Sequence, residues 1–288
     1  MLKQSIEDII TDFMKTSPDN SLTLDTGEPA WEEVIMGYSS GDDPIYDSYK
    51  EYVGETHFTP AEIFNLTFPD DPVQPGELTV ISWALIQREA VKQDNREADF
   101  YPSDRWVMAR FPGERFNELL RQHVADELIK QSIMAVAPTL SSHWKFETSA
   151  KYFLTSRWSE RHAAYASGLG TFGLCDGLIT AKGKAHRVGS AVARIRLEAT
   201  PRPYTDRHAY CLFYTTGKCM VCAGRCPVDA ISEKGHDKKK CMEHALGTCG
   251  KYVKERWNFD GYGCGLCQTK VPCESRIPKG VLSKDPRP

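Results

Sequence analysis

Apolar residues follow a helical spacing in two stretches of the chain. Within residues 2–15 an apolar residue recurs every three or four positions, which predicts an amphipathic helix. A second helix is predicted to start at Pro112-Gly113, because the following apolar residues mark one face: Phe116, Leu119, Leu120, Val124, Leu128 and Ile129. A third, shorter helix is predicted within 156–166.

Continuous apolar runs rich in β-branched residues predict strands. Residues 78–86 form the clearest run and read as a strand buried on both faces. Residues 132–138 predict another, stopped by Pro138, and the segments around Ile179, Val188 and 191–197 predict more. Strands that alternate with helices favour an α/β fold.

The patterns divide the chain into three regions. Residues 1–75 carry no pattern strong enough to assign beyond the first helix, and we treat them as an N-terminal region of unknown role. Residues 76–204 form the α/β region. The linker candidate Thr200-Pro201-Arg202-Pro203 precedes a tail, residues 205–288, which is expected to be a separate ferredoxin-like domain.

Composition and charge exclude several classes of protein. The 288 residues are 41% hydrophobic and 26% charged, which is ordinary globular usage. A net charge of −3 argues against a general polyanion binder. No apolar run is long enough to span a membrane, and acidic residues interrupt the N-terminus where a signal peptide would be apolar. We therefore expect a cytoplasmic protein.

Cysteine usage is the unusual feature. Nine of the ten cysteines lie in the last 78 residues, and only Cys175 lies outside the tail. Disulfides need an oxidising compartment, whereas clustered thiols in a reducing one more often bind metal. The tail is therefore predicted to hold metal.

The spacing of the cysteines favours iron–sulfur clusters. Residues 219–227 read C-x2-C-x3-C-P, the end of the bacterial ferredoxin run, in which the cysteine before proline ligates the other cluster. The leading cysteine of that run is replaced by Thr216, and Cys211 is the nearest substitute. The second motif, Cys264-x2-Cys267, is followed by Cys273 without the usual proline.

Counting four thiolates per cluster gives two 4Fe–4S sites. One set is Cys226, Cys241, Cys264 and Cys267, and the other is Cys211, Cys219, Cys222 and Cys273. Cys249 is left over and is an alternative to Cys211. A single four-thiolate zinc site and disulfides remain the competing interpretations.

A glycine-rich segment, residues 168–173, matches G-x-G-x-x-G. A dinucleotide site needs a strand before this motif and an acidic residue about 20 positions after it. Here a predicted helix precedes the motif, and Val188-Gly189-Ser190 occupies the later position. The segment therefore does not predict NAD binding, although its glycines allow close approach of the backbone to a bulky partner or a tight turn.

Residues 161–173, Gly189-Ser190 and the paired cysteine motifs resemble the epoxyqueuosine reductase family and its relatives, the corrinoid reductive dehalogenases. The likeness covers about residues 156–275. It implies a base-off cobalamin held by the α/β region and two clusters that supply electrons to it. The segment bordering the corrin would comprise His162, Gly168, Leu169, Gly170, Thr171, Phe172, Gly173, Gly189 and Ser190.

The resemblance also implies a proton donor near the start of the second predicted helix. Arg115 stands where the family has an aspartate, so Glu114 is the candidate acid, although it is equally a first-turn carboxylate stabilised by the helix dipole. Tyr165 and Arg161 are further candidates for proton donation and anion pairing.

The sequence therefore predicts a cobalamin-dependent iron–sulfur reductase of a small organic substrate. Lys234 and Lys238–Lys240 form a basic patch that suits an acidic electron donor such as flavodoxin or ferredoxin. The alternatives are an electron-transfer protein without its own catalysis and a tRNA epoxyqueuosine reductase. The net charge and the short segment after Cys273 argue against a nucleic-acid substrate. The oligomeric state is left open.

Overall fold

A four-stranded antiparallel sheet forms the centre of the computed structural model, which describes residues 2–24, 26–149, 151 and 153–281. The strand order is β1 (Trp31–Ser40), β2 (Thr79–Gln87), β8 (His186–Ala193) and β3 (Ala135–Val136). Every residue of β2 is buried, which confirms the strand predicted over 78–86. The predicted strand at 132–138 shortens to the two residues of β3.

Helices cover both faces of this sheet. On one face lie α1 (Leu2–Thr16), α5 (Asp104–Arg110) and α6 (Pro112–Lys130), which pack on Ile81, Trp83 and Leu85. On the other face lie α2 (Ile45–Tyr52), α3 (Pro60–Thr67) and α7 (Glu160–Ala166), which pack around Val80 and Val192. The alternation of β2 side chains between the two faces explains its continuous apolar run.

The predicted helices at 2–15 and after Pro112 are confirmed as α1 and α6. In α6 the buried face comprises Phe116, Leu120, Val124 and Leu128, whereas Ile129 is exposed. The mixed α/β class is therefore observed, with antiparallel pairing throughout the sheet.

The first 75 residues are part of the same core. Strand β1 pairs with β2 along its whole length, from Trp31 opposite Gln87 to Ser40 opposite Thr79. Helix α1 buries Ile6, Ile10 and Met14 against the face that α6 also covers. We therefore call residues 2–204 the body, since the N-terminal region supplies an edge strand and a core helix to it.

Smaller elements complete the body. Helix α4 (Glu89–Glu97) follows β2, and two hairpins, β4 (Phe146–Ser149) with β5 (Phe153–Ser156) and β6 (Gly170–Phe172) with β7 (Leu178–Thr180), flank α7. The helix predicted at 156–166 is shorter in the structure, where β5 ends at Ser156 and α7 begins at Glu160 after a three-residue connection. The β6–β7 hairpin extends from the body toward the tail.

The tail consists of short elements. These are α8 (Leu212–Thr216), α9 (Val221–Gly224), the hairpin of β9 (Ile231–Ser232) and β10 (Gly235–His236), α10 (Lys238–Met242), a π-helix (Glu243–Thr248) and α11 (Cys249–Trp257). No helix among the described residues is both long and apolar enough to cross a membrane.

Candidate metal centres and active site

Four cysteines meet where the body contacts the tail, and we call Cys175, Cys222, Cys267 and Cys273 thiol group 1. The Cys175 thiol shares hydrogen bonds with Cys222 and Cys267. Lys184 Nζ lies 3.2 Å from Cys175 Sγ, and Lys184 also shares a hydrogen bond with Cys273. The sulfurs therefore surround one ammonium group. Four cysteine sulfurs are the donor set of a 4Fe–4S cluster.

In thiol group 1 the Cys175 sulfur lies beside the Lys184 ammonium group. Hydrogen bonds with Cys222 and Cys267, with help from Lys184, keep the pKa of Cys175 well below its ordinary value. Burial lowers the pKa of Lys184, but the surrounding sulfurs outweigh it and raise that pKa well above normal. The hydrogen bonds with Cys175 and burial raise the pKa values of Cys222 and Cys267, and burial raises that of Cys273, so within this group the thiolate form is favoured at Cys175 alone.

Apolar side chains enclose this group. Cys175 and Cys222 are buried in one cluster with Leu174, Ile179, Ile231 and Val271, and Cys267 and Cys273 pack against it. Such surroundings limit water access to a bound cluster, and solvent exposure is one of the factors that set a cluster's reduction potential.

A second set of donors, His244, Cys249 and Cys264, lies within the tail, and we call it thiol group 2. Their ligand atoms lie within 4.8 Å of one another, and His244 Nε2 is 3.3 Å from Cys249 Sγ. A π-helix offsets contacts by five residues, which brings His244 and Cys249 to the same side. Nitrogen and sulfur donors at this spacing suit a metal.

The loop that carries Cys264 is fixed by its neighbour. Gly265 has φ +76°, and a Cβ there would lie 2.2 Å from the Trp106 ring. Only glycine fits both the backbone conformation and the space. Trp106 of the body therefore determines where Cys264 meets the rest of thiol group 2.

The structure divides the predicted ligands differently from the sequence. Cys264 and Cys267, predicted in one set, lie in thiol groups 2 and 1 respectively. Cys249, the leftover cysteine, lies in group 2 and not beside Cys222. The remaining predicted ligands lie nearby: Cys211 and Cys226 in the apolar cluster around group 1, Cys241 in hydrogen-bond contact with His236, and Cys219 half-buried in the tail.

Sequence reasoning missed Cys175, Lys184 and His244 as members of these groups. Cys175 precedes the next cysteine by 36 positions, so no spacing rule includes it. The available signal was the turn sequence Cys175-Asp176-Gly177 between two strand patterns, which predicts a hairpin tip. Nothing in the sequence indicates that this tip reaches the tail.

The glycines predicted to border a corrin are instead enclosed by the chain itself. A Cβ on Gly168 would lie 2.8 Å from a backbone oxygen of Pro201, and one on Gly170 would lie 2.2 Å from the Ile179 oxygen. A Cβ on Gly189 would lie 2.6 Å from the Trp83 ring. These glycines allow close packing within the body, and Gly170 and Gly189 are buried by it while Gly168 is half-buried.

The other residues of the predicted corrin segment also have internal partners. His162 Nδ1 is 2.8 Å from Ser159 Oγ, and burial keeps its pKa well below normal. Thr171 Oγ1 accepts a hydrogen bond from the Tyr210 backbone, and Ser190 Oγ accepts one from Trp158 Nε1. Leu169, Phe172 and Gly173 are buried in the β6–β7 region. The cobalamin assignment of this segment therefore does not fit the packing, and we derive no step through cobalamin.

Glu114 is an anchor for two arginines. Its carboxylate accepts hydrogen bonds from Arg121 Nη1 at 2.9 Å and from Arg187 Nε. Burial alone would raise the pKa of Glu114, but the charges of Arg187, Arg121 and Arg110 lower it to about 2. At neutral pH this carboxyl has no proton to give, so its geometry does not support the proton-donor role predicted for it.

Tyr262 of the tail lies beside two of these arginines, and we call Arg110, Arg187 and Tyr262 the arginine–tyrosine group. The Arg110 guanidinium lies 4.3 Å from the centre of the Tyr262 ring. Tyr262 shares hydrogen bonds with both arginines. Their charges, Arg110 first, lower the pKa of Tyr262 below its ordinary value. Residue Tyr262 is 43% exposed, so part of its side chain lies at the protein surface.

The remaining predicted catalytic residues occupy different surroundings. Tyr165 is buried against Phe172 and Tyr204, and burial raises its pKa, which makes it a weaker acid. Arg161 is exposed and donates a hydrogen bond to the Asp176 backbone oxygen at the β6–β7 tip. Arg161 thus supports the turn that carries Cys175.

Comparisons with known proteins identify a fold. No protein-family model matches the chain, and no curated protein sequence matches it. Epoxyqueuosine reductase from Streptococcus thermophilus superposes with a TM-score of 0.50 at 14% identity, covering 98% of this chain and 69% of that one. The catabolic reductive dehalogenase NpRdhA in complex with 3-bromo-4-hydroxybenzoic acid superposes with a TM-score of 0.51 at 12% identity, covering 96% of this chain and 37% of that one.

An epoxyqueuosine reductase with an epoxyqueuosine-modified tRNA-Tyr stem loop is also similar, with a TM-score of 0.46 at 16% identity, covering 100% of this chain and 70% of that one. That score carries no argument about this chain. The first two superpositions confirm the expected resemblance at the level of the fold. The chain spans little more than a third of the dehalogenase.

Proposed function

We propose that this chain is an iron–sulfur oxidoreductase. The observation that carries the proposal is the pair of donor sets, thiol group 1 with Lys184 beside Cys175 and thiol group 2 with its His244–Cys249–Cys264 contact. Cysteine sulfur is the ligand that iron–sulfur clusters use, and such clusters supply one-electron transfer when bound. The shared fold with two kinds of reductase supports the same class of activity.

The chain's own residues divide the work. The apolar cluster around Leu174 and Ile231 keeps water from thiol group 1, and Lys184 places a positive charge beside its sulfurs. Arg110 and Arg187 suit an anionic or phenolic group of a substrate, since guanidinium groups bind such oxygens. Tyr262 holds a proton next to them and is the proton donor that the geometry favours.

The electron donor is proposed to dock on the tail. Lys234, Lys239 and Lys240 are exposed and lie just before Cys241 in the chain. A basic patch of this kind attracts an acidic surface such as that of a flavodoxin or ferredoxin and increases the association rate at low salt.

The finer form of the proposal specifies two 4Fe–4S clusters, base-off cobalamin as the group next to the substrate, and a small organic substrate. The cluster count rests on the cysteine motifs, and cobalamin rests on the resemblance to the two reductase families. Because the glycine-rich segment is closed by its own packing, a corrin would have to be held by other residues.

The test is anaerobic purification followed by iron, sulfide and zinc analysis and electron paramagnetic resonance (EPR) of the dithionite-reduced protein. We expect about eight iron and eight sulfide per chain, with a reduced-cluster signal. Zinc without sulfide would replace the proposal with a structural zinc site, and a folded preparation free of iron would end it.

Three further assays distinguish the cobalamin-dependent reductase, the electron-transfer protein and the tRNA reductase. Co-elution of added hydroxocobalamin with the iron-loaded protein supports the cobalamin-dependent reductase. Iron-loaded protein that binds no corrin, but reduces or oxidises a flavodoxin, supports an electron-transfer protein without its own catalysis. Conversion of the epoxyqueuosine precursor in tRNA supports the tRNA reductase, against which the net charge argues.

A further inference from the structure

The first cysteine motif lacks one ligand. A complete ferredoxin run would place its leading cysteine at position 216, which is threonine. Thiol group 1 contains three tail cysteines, Cys222, Cys267 and Cys273, and the fourth sulfur that meets them comes from the body. That sulfur belongs to Cys175.

The turn between β6 and β7 aims Cys175 away from the body's sheet. Gly173 N donates to the Gly177 oxygen at 2.8 Å, which closes the turn, and Asp176 takes the left-handed conformation with φ +57°. A Cβ on Gly177 would lie 3.4 Å from Cys175 Sγ, which is an ordinary contact distance, so Gly177 packs directly beside the sulfur.

The tail holds this turn in place. His236 Nδ1 contacts the Asp176 carboxylate at 3.0 Å, which connects β10 to the residue after Cys175. On the body side, Arg161 donates to the Asp176 backbone oxygen. The turn is therefore fastened from both sides next to the sulfur.

Backbone hydrogen bonds join residues 184–185 of the body to residues 273–274 of the tail, and this seam sets the distance between the body and Cys273. Lys184 N donates to the Cys273 oxygen at 2.9 Å, and Ala185 N donates to the Glu274 oxygen at 3.1 Å. Gly183, with φ +81°, packs so closely that a Cβ would lie 2.2 Å from the Glu274 oxygen. The segment that carries Lys184 thus runs directly against the segment that carries Cys273.

We propose that Cys175 is a ligand of the iron–sulfur cluster in thiol group 1, in place of the cysteine missing at position 216, and that Lys184 is a positioning residue that donates an N–H···S hydrogen bond to it. This inference rests on the proposed function. One cluster is then ligated by cysteines of both the body and the tail. It also places the cluster next to the body, toward which electrons must move if the arginine–tyrosine group is the active site.

Cys211 is the competing ligand. It is buried in the same apolar cluster and was the substitute that its closeness in sequence suggested. The structure gives Cys175 a hydrogen bond from Lys184 Nζ at 3.2 Å and places it in one buried cluster with Cys222, against which Cys267 and Cys273 pack, which is why we favour it. The two cysteines therefore make a matched pair of variants.

The experiment compares Cys175→Ala with Cys211→Ala in the full chain, purified and reconstituted without oxygen. We expect Cys175→Ala to lose about half of the iron and sulfide, about four atoms of each, together with one of two EPR signals. Cys211→Ala should keep both. Equal iron content in the two variants, or loss of iron only in Cys211→Ala, overturns the inference. The iron content of the wild-type protein still supports the proposed function in that case. Wild-type protein without iron rejects the proposed function itself.

A second variant covers the possibility that Cys175→Ala fails to fold. Lys184→Met keeps the length of the side chain and removes its charge and N–H donor. Since hydrogen bonds to sulfur and net charge set cluster potentials, we expect full iron content with one midpoint potential shifted to a more negative value. Redox titration followed by EPR measures this shift. Two unchanged potentials in an iron-loaded Lys184→Met protein would show that no cluster lies beside Lys184.

Discussion

The seam at Gly183 offers the sharpest test of how body and tail are joined. Gly183→Ala adds a Cβ that would lie 2.2 Å from the Glu274 backbone oxygen, at a residue with φ +81°. Because backbone and not a flexible side chain blocks it, the strand segment must move. Movement breaks the hydrogen bonds from Lys184 N to Cys273 and from Ala185 N to Glu274, which are 2.9 and 3.1 Å long.

The expected cost has two parts. The left-handed conformation costs an alanine about 1–2 kcal/mol, and two lost hydrogen bonds add about 2 kcal/mol. Gly27→Ala is the matched control, because Gly27 has φ +66° and a Cβ there would meet no described atom within 4 Å. The control should therefore lose only the conformational part, about 1–2 kcal/mol.

Urea unfolding followed by tryptophan fluorescence measures both variants, and iron analysis accompanies it. We expect Gly183→Ala to be less stable than Gly27→Ala by about 2 kcal/mol and to hold less iron, since the same seam places Cys273 beside Cys175. Equal stability of the two variants would refute the argument that this backbone contact is rigid.

Three further predictions concern charges. The pKa of Glu114 is lowered to about 2, so its ion pairs stabilise the fold above pH 4.5. This contribution, about 3 kcal/mol, is lost as the pH falls toward 2. Glu114→Gln should lack the corresponding part of the acid unfolding curve, and an unchanged curve would contradict the prediction. Because the pKa of Tyr262 is lowered, its hydroxyl should lose its proton at a lower pH than an ordinary tyrosine when ultraviolet absorbance is followed in a pH titration. Tyr262→Phe should remove this low-pH absorbance change without changing the iron content. Arg96→Ala removes the ion-pair partner of the buried Glu274 carboxylate, which among the described residues keeps only the hydrogen bond from the Lys270 backbone, and should cost about 3 kcal/mol in the free energy of unfolding. Arg115→Ala, in an exposed pair, should cost less than about 0.5 kcal/mol; similar losses in both would be inconsistent with burial as the cause.

Local sequence patterns predicted an element correctly where its burial follows from its own residues. The apolar run at 78–86 predicted the fully buried strand β2, and the spacing after Pro112 predicted α6. Strand β1 was missed because its burial alternates only weakly and depends on pairing with β2, 39 positions or more away along the chain. Pairing partners at that separation leave no local periodicity.

The candidate site shows the same division. Motif spacing identified the tail cysteines, but spacing assigned Cys264 and Cys267 to one set, whereas the fold separates them. Tyr262 could not be recognised as an acid from the sequence, since its lowered pKa comes from Arg110 on α5 and Arg187 on β8.

The sequence by itself predicted that the tail binds metal, because closely spaced thiols in a chain of ordinary composition have few other uses. It also determined the main helices and the central strand, whose patterns are local. Only the tertiary structure decided which sulfurs meet, that a cysteine of the body joins those of the tail, and that the glycine-rich segment is filled by its own chain. Those outcomes depend on distances between residues far apart in sequence, and such distances are fixed by packing alone.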